Sequence, residues 1–210
     1  MNKIRVYTIC SLATIVLVVS SFYVVNSNSK KTETVTITYN VLEETVKTET
    51  IIKGSKIKSI YTYESKNHQT YVSMWEYGDN TLEESTVINE DITVVGTPET
   101  SLKLFTTDEN EYTYINGVNH VHSDGKVVVL PTYRNKEINI GVGCFYNNEG
   151  IKEIYLPSTI HHIFDNNFVN CSNLITIYYS GDKNSWEAIP TSSVVPNNVN
   201  VVYNTTFNID

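Results

Sequence analysis

Apolar residues in the C-terminal half of the chain return at a fixed interval. Ile151-Lys-Glu-Ile154-Tyr-Leu156 overlays Leu174-Ile-Thr-Ile177-Tyr-Tyr179 after a shift of 23 residues, and the same shift carries Ile140 to Ile163, Phe145 to Phe168 and Asn147-Asn148 to Asn170-Cys171. A period of this length is that of a solenoid, in which each unit buries its apolar face against the next. Each unit reads as a strand, a corner and a Phe-centred return segment. Ile140 with Ile163, and Phe145 with Phe168, are therefore expected to stack in the core. The first unit is longer, since Leu130-Pro131 lies 26 residues before Leu156-Pro157.

Upstream the pattern changes to short alternating runs. Thr34-Val-Thr-Ile-Thr-Tyr39, Thr50-Ile-Ile-Lys-Gly54-Ser-Lys-Ile57, Tyr71-Val-Ser-Met-Trp75-Glu-Tyr77 and Asp91-Ile-Thr-Val-Val95 predict strands, with turns at Gly54 and at Gly78-Asp-Asn80. Gly96-Thr-Pro98-Glu-Thr-Ser101 is a short connector and marks a domain boundary. Beyond it, Leu102-Lys-Leu-Phe105 and Tyr112-Thr-Tyr-Ile115 predict a hairpin around Asp108-Glu-Asn-Glu111, placed to cap the first coil, whose edge would otherwise be bare. At the far end Asp182 is a good N-cap for a short helix carrying Trp186 and Ile189 on one face and stopped by Pro190; Val199-Asn-Val-Val-Tyr203 adds a last strand.

The first 25 residues are a separate device: Lys3 and Arg5 precede an uncharged run from Val6 to Val25, which fits a signal peptide or an N-terminal membrane anchor. Either sends the rest of the chain across a membrane, and residues 6–25 hold it there if uncleaved. The organisation expected is thus 1–25 signal or anchor, 26–33 polar linker, 34–97 a first β domain and 102–204 the repeat domain.

Leu156-Pro-Ser-Thr-Ile-His-His-Ile163, followed by Asn167-Phe168-Val-Asn-Cys171-Ser-Asn-Leu174 and closed by Ile177-Tyr-Tyr-Ser-Gly181 with Trp186-Glu-Ala-Ile189, resembles the BspA-type leucine-rich repeat. It departs from that pattern in placing Cys144 and Asn167 where the family has alanine and Asn148 where it has cysteine. Val35-Thr-Ile-Thr-Tyr-Asn40 and Val87-Ile-Asn-Glu-Asp-Ile-Thr-Val-Val95 resemble the two ends of an internalin-type B-repeat, a small β-grasp module of bacterial surface proteins. Together the resemblances imply a mainly β protein: a β-grasp-like domain, then a short leucine-rich-repeat solenoid with a capping hairpin and a terminal helix. They also imply a bacterial surface or secreted protein.

The charge narrows the partners. Without Lys3 and Arg5 the chain has 13 basic against 23 acidic residues, a formal charge of −10, which argues against nucleic acid, where basic residues must neutralise phosphates. Cys10 lies in the export segment, and Cys144 and Cys171 hold non-equivalent repeat positions, so both are expected as free buried thiols. Glycine-rich phosphate loops, paired-cysteine metal sites, nucleophile elbows and acidic calcium loops are not found. His120-Val-His122-Ser-Asp124 would put three ligands on one face if it were a strand. The flanking Asn116-Gly117 and Asp124-Gly125 mark it instead as a solvated polar loop. His161-His162, with Asp165 nearby, sit on a repeat corner where polar residues are expected anyway. The triplets Asn170-Cys-Ser172 and Asn204-Thr-Thr206 are assigned no role. No catalytic residue, metal or cofactor is nominated.

The strand face of the solenoid remains. With Ile154, Leu156 and Ile177 inward, alternation turns Glu153 and Tyr155 outward, with Thr176 and Tyr178 on the next coil and Val127 and Val129 extending the face. Val129, Glu153, Tyr155, Thr176 and Tyr178 form the candidate ligand-binding surface, because tyrosine offers large contact area at small entropy cost; cross-strand sheet stabilisation is the competing role. Three functions follow: an exported recognition or adhesion module contacting a host or neighbouring-cell surface protein or glycan; a structural spacer with no ligand of its own; or a secreted hydrolase, which would need a deep pocket with converging His and acidic residues.

Overall fold

The computed structural model describes residues 31–106 and 112–206. Residues 1–25, expected as a signal or anchor, most of the expected polar linker and the expected hairpin tip at 108–111 lie outside the described residues. From Glu33 onward the chain is one compact unit, mainly β, holding two separate apolar clusters.

The first cluster belongs to ten strands: β1 (Thr34–Val41), β2 (Glu44–Ile52), β3 (Ser55–Lys56), β4 (Tyr63–Glu64), β5 (Thr70–Val72), β6 (Glu76–Tyr77), β7 (Asn80–Thr81), β8 (Val87–Ile88), β9 (Ile92–Gly96) and β10 (Glu99–Thr100). β1 is an inner strand of a five-stranded sheet of order β2-β1-β9-β6-β7, antiparallel to β2 and parallel to β9. Its alternation turns Val35, Ile37, Tyr39 and Val41 inward. The stretch Tyr71 to Tyr77, expected as one strand, is two: β5 pairs with β4 and β10, whereas β6 joins β9 in the large sheet. The break lets Trp75 turn fully into the core, where its Nε1 donates to the Tyr61 carbonyl at 2.5 Å and its ring meets Tyr39 edge-on at 5.0 Å. Gly96 closes β9 beneath that ring, since a Cβ there would lie 2.3 Å from Val72 Cγ1 and 2.9 Å from Trp75 Cζ3.

The second cluster is the inside of a solenoid-like stack of about four turns. It is built from β11 (Leu102–Thr106), β12 (Tyr112–Val118), β13 (Lys126–Val128), β14 (Thr132–Tyr133), β15 (Lys136–Ile140), β16 (Glu153–Leu156), β17 (Thr176–Tyr179), α1 (Lys183–Ala188) and β18 (Asn200–Val202). One face is the parallel sheet β13-β16-β17-β18. The other begins with the β11-β12 hairpin, continues through β15, and extends by single parallel bridges from Ile140 to Ile163 and from Ile163 to Thr191. Between the faces Phe145 and Phe168 are buried and stacked, centroids 6.1 Å apart and planes 15° from parallel, as the period requires. The two Phe-centred return segments each turn twice through left-handed backbone at equivalent places: Gly143 and Asn166 (φ 61° each), then Asn147 (φ 56°) and Asn170 (φ 59°). Glycine and asparagine are the residues that tolerate this region, which explains their recurrence.

The insertion in the first coil is a miniature hairpin. β14 and β15 pair across Arg134 and Asn135, both left-handed at φ 52° and 62°, the backbone a two-residue hairpin turn needs. It shifts the coil by more than the Leu-Pro spacing suggests, because Val127 pairs with Ile154 and Val128 with Tyr155, an offset of 27. At the other end Asp182 caps α1 by accepting from the Ser185 N–H at 2.7 Å. Trp186 packs edge-on against Tyr179 at 5.2 Å, and Ile189 follows it into the core.

Candidate recognition surface

Parallel pairing in register, Glu153 with Thr176 and Tyr155 with Tyr178, places four of the five candidate residues on one outward face. All four are half-buried. The Tyr155 and Tyr178 rings are stacked, 4.5 Å between centroids and 17° between planes. That separation matches the roughly 4.8 Å spacing of strands, so the rings stand upright on the sheet, faces to each other and edges outward. The Tyr155 hydroxyl donates to Glu153 Oε2 at 2.8 Å. Burial, reinforced by that carboxylate, holds its phenol well above the ordinary tyrosine range.

Val129 is not on this face. It is fully buried, and its backbone N–H donates to the Tyr155 carbonyl at 2.9 Å, which makes it the counterpart of Leu156. Val127 likewise points inward with Ile154. A single residue of register separates the two readings: matching Leu130-Pro131 to Leu156-Pro157 aligns Val129 with Tyr155, whereas the observed pairing gives that place to Val128, and a one-residue slip inverts every side chain. The outward residues of β13 are therefore Lys126 and Val128. Val128 is only 8% exposed, and the Gln69 amide reaches its carbonyl at 2.9 Å. On the last strand Asn200 and Val202 continue the face beside Thr176 and Tyr178.

A second constellation lies where the two apolar clusters meet. The loop between β4 and β5 presents His68, held left-handed at φ 61° by a turn in which its N–H donates to the Ser65 carbonyl. The loop after β12 presents His120, His122, Ser123 and Asp124. His68 Nε2 lies 2.9 Å from Asp124 Oδ2, and His120 Nε2 lies 2.8 Å from Glu64 Oε1. Glu64 also accepts from the Ser123 N–H and hydroxyl, the latter at 2.6 Å. Between them, His122 is 4% exposed and pairs through Nε2 with the Ser101 hydroxyl at 2.9 Å. Its ring lies 4.8 Å from that of His68 and 5.4 Å from that of His120. Burial, with His68 alongside, holds the His122 imidazole below its ordinary value. Burial alone would raise Glu64 and Asp124, but hydrogen bonds from Ser123 and His120 to the one, and from His68 and Lys126 to the other, hold both below the ordinary carboxylate range.

The loop expected to be solvated is thus half of a junction, with a buried histidine at its centre. Its partners are 21 to 59 residues away, a distance no local pattern encodes; the recurrence of His, Ser and Asp at 120–124 was the only visible signal. Among the described residues no group of three His, Cys, Asp or Glu side chains is arranged to hold a metal ion. Ser101 and His122 form a serine–imidazole pair, but both are closed off from solvent. His161 and His162 diverge, the first to Glu137 at 2.5 Å and the second against the Phe164 ring at 4.0 Å; Asp165 contributes its carbonyl to Gly143. Cys144 and Cys171 are buried and free. Among the described residues no helix is long and apolar enough to cross a membrane.

The chain matches no protein-family model, no curated protein and no solved structure. Mainly β structure with a short stacked-coil solenoid is the class that the fold defines.

Proposed function

We propose that this is an exported recognition or adhesion module displayed at a cell surface, a B-repeat-like β-grasp unit carrying a short BspA-type leucine-rich-repeat domain. The outward strand face of the solenoid engages a protein or glycan on a host or neighbouring cell. The observation that carries the reading is the stacked pair Tyr155 and Tyr178 at the centre of that face, flanked by Glu153, Thr176 and Asn200. Because the rings present edges and hydroxyls rather than open faces, the geometry favours a protein surface over a sugar ring seeking a flat aromatic platform. The repeating coil, and β1 with a hairpin partner on one side and a parallel partner on the other, support the two family assignments.

The test is attachment of the purified chain to candidate cell surfaces, compared with a Tyr155→Ser/Tyr178→Ser double variant whose fold is checked by circular dichroism. A central aromatic pair should cost at least about tenfold in binding. Undiminished attachment of a folded double variant refutes this site. A spacer role is the second reading, favoured by one observation: the rings already satisfy each other and Glu153. It requires that neither protein attach.

A further inference from the structure

His68, His120 and His122 are three of the chain's five histidines, gathered where the two halves meet. The outer two are provided for: each Nε2 faces a carboxylate across the junction, Asp124 for His68 and Glu64 for His120. His122 is not, because its Nε2 faces only the neutral Ser101 hydroxyl. A proton on His68 or His120 meets a negative charge; a proton on His122 meets two imidazoles and a hydroxyl in a buried space, with the Glu64 and Asp124 carboxylates nearby but already bonded to His120, Ser123, His68 and Lys126.

We propose that this cluster is an acid-sensitive latch, which holds the β4-β5 loop against the loop after β12 while His122 is neutral and releases it when His122 takes up a proton. The groups facing His122 are Ser101 from the connector, His68 and Glu64 from the first half, and His120 and Asp124 from its own loop. Behind them stand Lys126 on Asp124 at 3.3 Å, and Tyr71, stacked on His120 at 4.3 Å, with Glu99 at its hydroxyl. A charge on His122 adds a buried cation beside His68 and His120, while Glu64 and Asp124 are already engaged by His120, Ser123, His68 and Lys126. The partly exposed ion pairs add little, whereas an imidazolium at the His122 position must reach water, and separating the two loops is the direct way to do so. The direction follows from linkage: the folded state favours neutral His122, so the latch is intact above the ordinary histidine range and weakens as pH falls below about 6.5. Opening also draws Gln69 away from Val128, uncovering the start of the outward strand face.

Hydrogen exchange on the full chain reads the latch directly. The Ser101 N–H donates to Gln69 and the Ser123 N–H to Glu64, both across the junction. Their protection, corrected for intrinsic exchange, should fall by about tenfold or more between about pH 7.5 and about pH 5, while amides of β16, β17 and β9 keep theirs. His122→Gln retains a polar partner for Ser101 and cannot charge, so its junction should stay protected at the lower pH. Constant protection in the parent chain, or the same acid response in a folded His122→Gln, overturns the latch. If that variant does not fold, NMR titration of the parent histidines decides: junction amides should lose protection in step with His122 protonation. Loss confined to the carboxylate range, with His122 still neutral, overturns the proposal as well.

Discussion

The thiol of Cys171 points at the carbonyl oxygen of Phe145 in the preceding coil, with 2.9 Å between sulfur and oxygen. A side chain from one coil thereby terminates the backbone of the coil before it, at a depth where water does not reach. Removing it by Cys171→Ala takes the thiol donor from that carbonyl and leaves a void in the coil core, and should cost about 1–3 kcal/mol in chemical denaturation. Cys171→Ser, which keeps a donor, should cost less than alanine.

The same burial makes the two thiols unreactive. Desolvation pushes both Cys144 and Cys171 above the ordinary thiol range, and the thiolate is the nucleophile. Neither should be alkylated by iodoacetamide in the native protein near neutral pH, while both should be labelled in denaturant. Intact mass should show no loss of two hydrogens from a bridge between them. Rapid native labelling of Cys171 would mean that the coils open there.

Phe145 and Phe168 are the centre of the coil stack, and neither can be replaced from a neighbouring rung. Phe168→Ala should cost about 3–5 kcal/mol. At about 2–4 °C per kcal/mol for a chain of this size, the melting temperature should drop by roughly 6–20 °C. Gly96→Ala is the counterpart in the first cluster: its new methyl group meets Val72 and Trp75, and overpacking of this kind costs about 1–3 kcal/mol.

These core positions were legible because a period exposes them: Ile140 over Ile163, Phe145 over Phe168, the β11-β12 hairpin and the Asp182 cap all follow from spacing and side-chain chemistry. Val129 was misplaced because the first coil absorbs its extra residues in the Arg134-Asn135 hairpin, so the Leu-Pro landmark is one residue out of register with the strand. The break before Trp75 was hidden because an alternating run does not reveal that its two ends join different sheets. Of the histidine junction only the His120-to-Asp124 half was visible, since its partners Glu64 and His68 lie 56 to 59 positions upstream.

Arg134 and Asn135 offer a stabilising change. Both sit in left-handed backbone, where a residue with a bulky side chain is strained and where Asn-Gly is the favoured pair. Combining Arg134→Asn with Asn135→Gly should raise stability by about 0.5–1 kcal/mol. A fall in melting temperature would show that the Arg134 guanidinium, 5.3 Å from the Tyr133 ring, matters more than the turn.

Acid should act on the junction carboxylates in a separate, lower window. Glu64 and Asp124 ionise more readily folded than unfolded, so the stability they lend is complete above the ordinary carboxylate range and is lost as pH falls through their lower folded values. Glu64→Gln should therefore flatten the stability profile below about pH 4.5, and because Glu64 also faces His120 and His122 it should alter the histidine-dependent change at higher pH as well.

The outward pair Tyr155 and Tyr178 shows how much of the strand face serves folding. Half-buried rings stacked at 4.5 Å should be coupled, and a double-mutant cycle of Tyr155→Ser and Tyr178→Ser should return about 0.5–1.5 kcal/mol beyond the loss of area. The single variants should be unequal, because Tyr155 also hydrogen-bonds Glu153 and its loss frees that carboxylate. Strong coupling together with unchanged attachment would make the pair a cross-strand brace. Weak coupling with attachment abolished would make it an interaction surface whose stacking is incidental. Recognition requires that binding fall further than stability: a variant that keeps most of its unfolding free energy yet loses about tenfold or more in attachment has lost a contact rather than a fold.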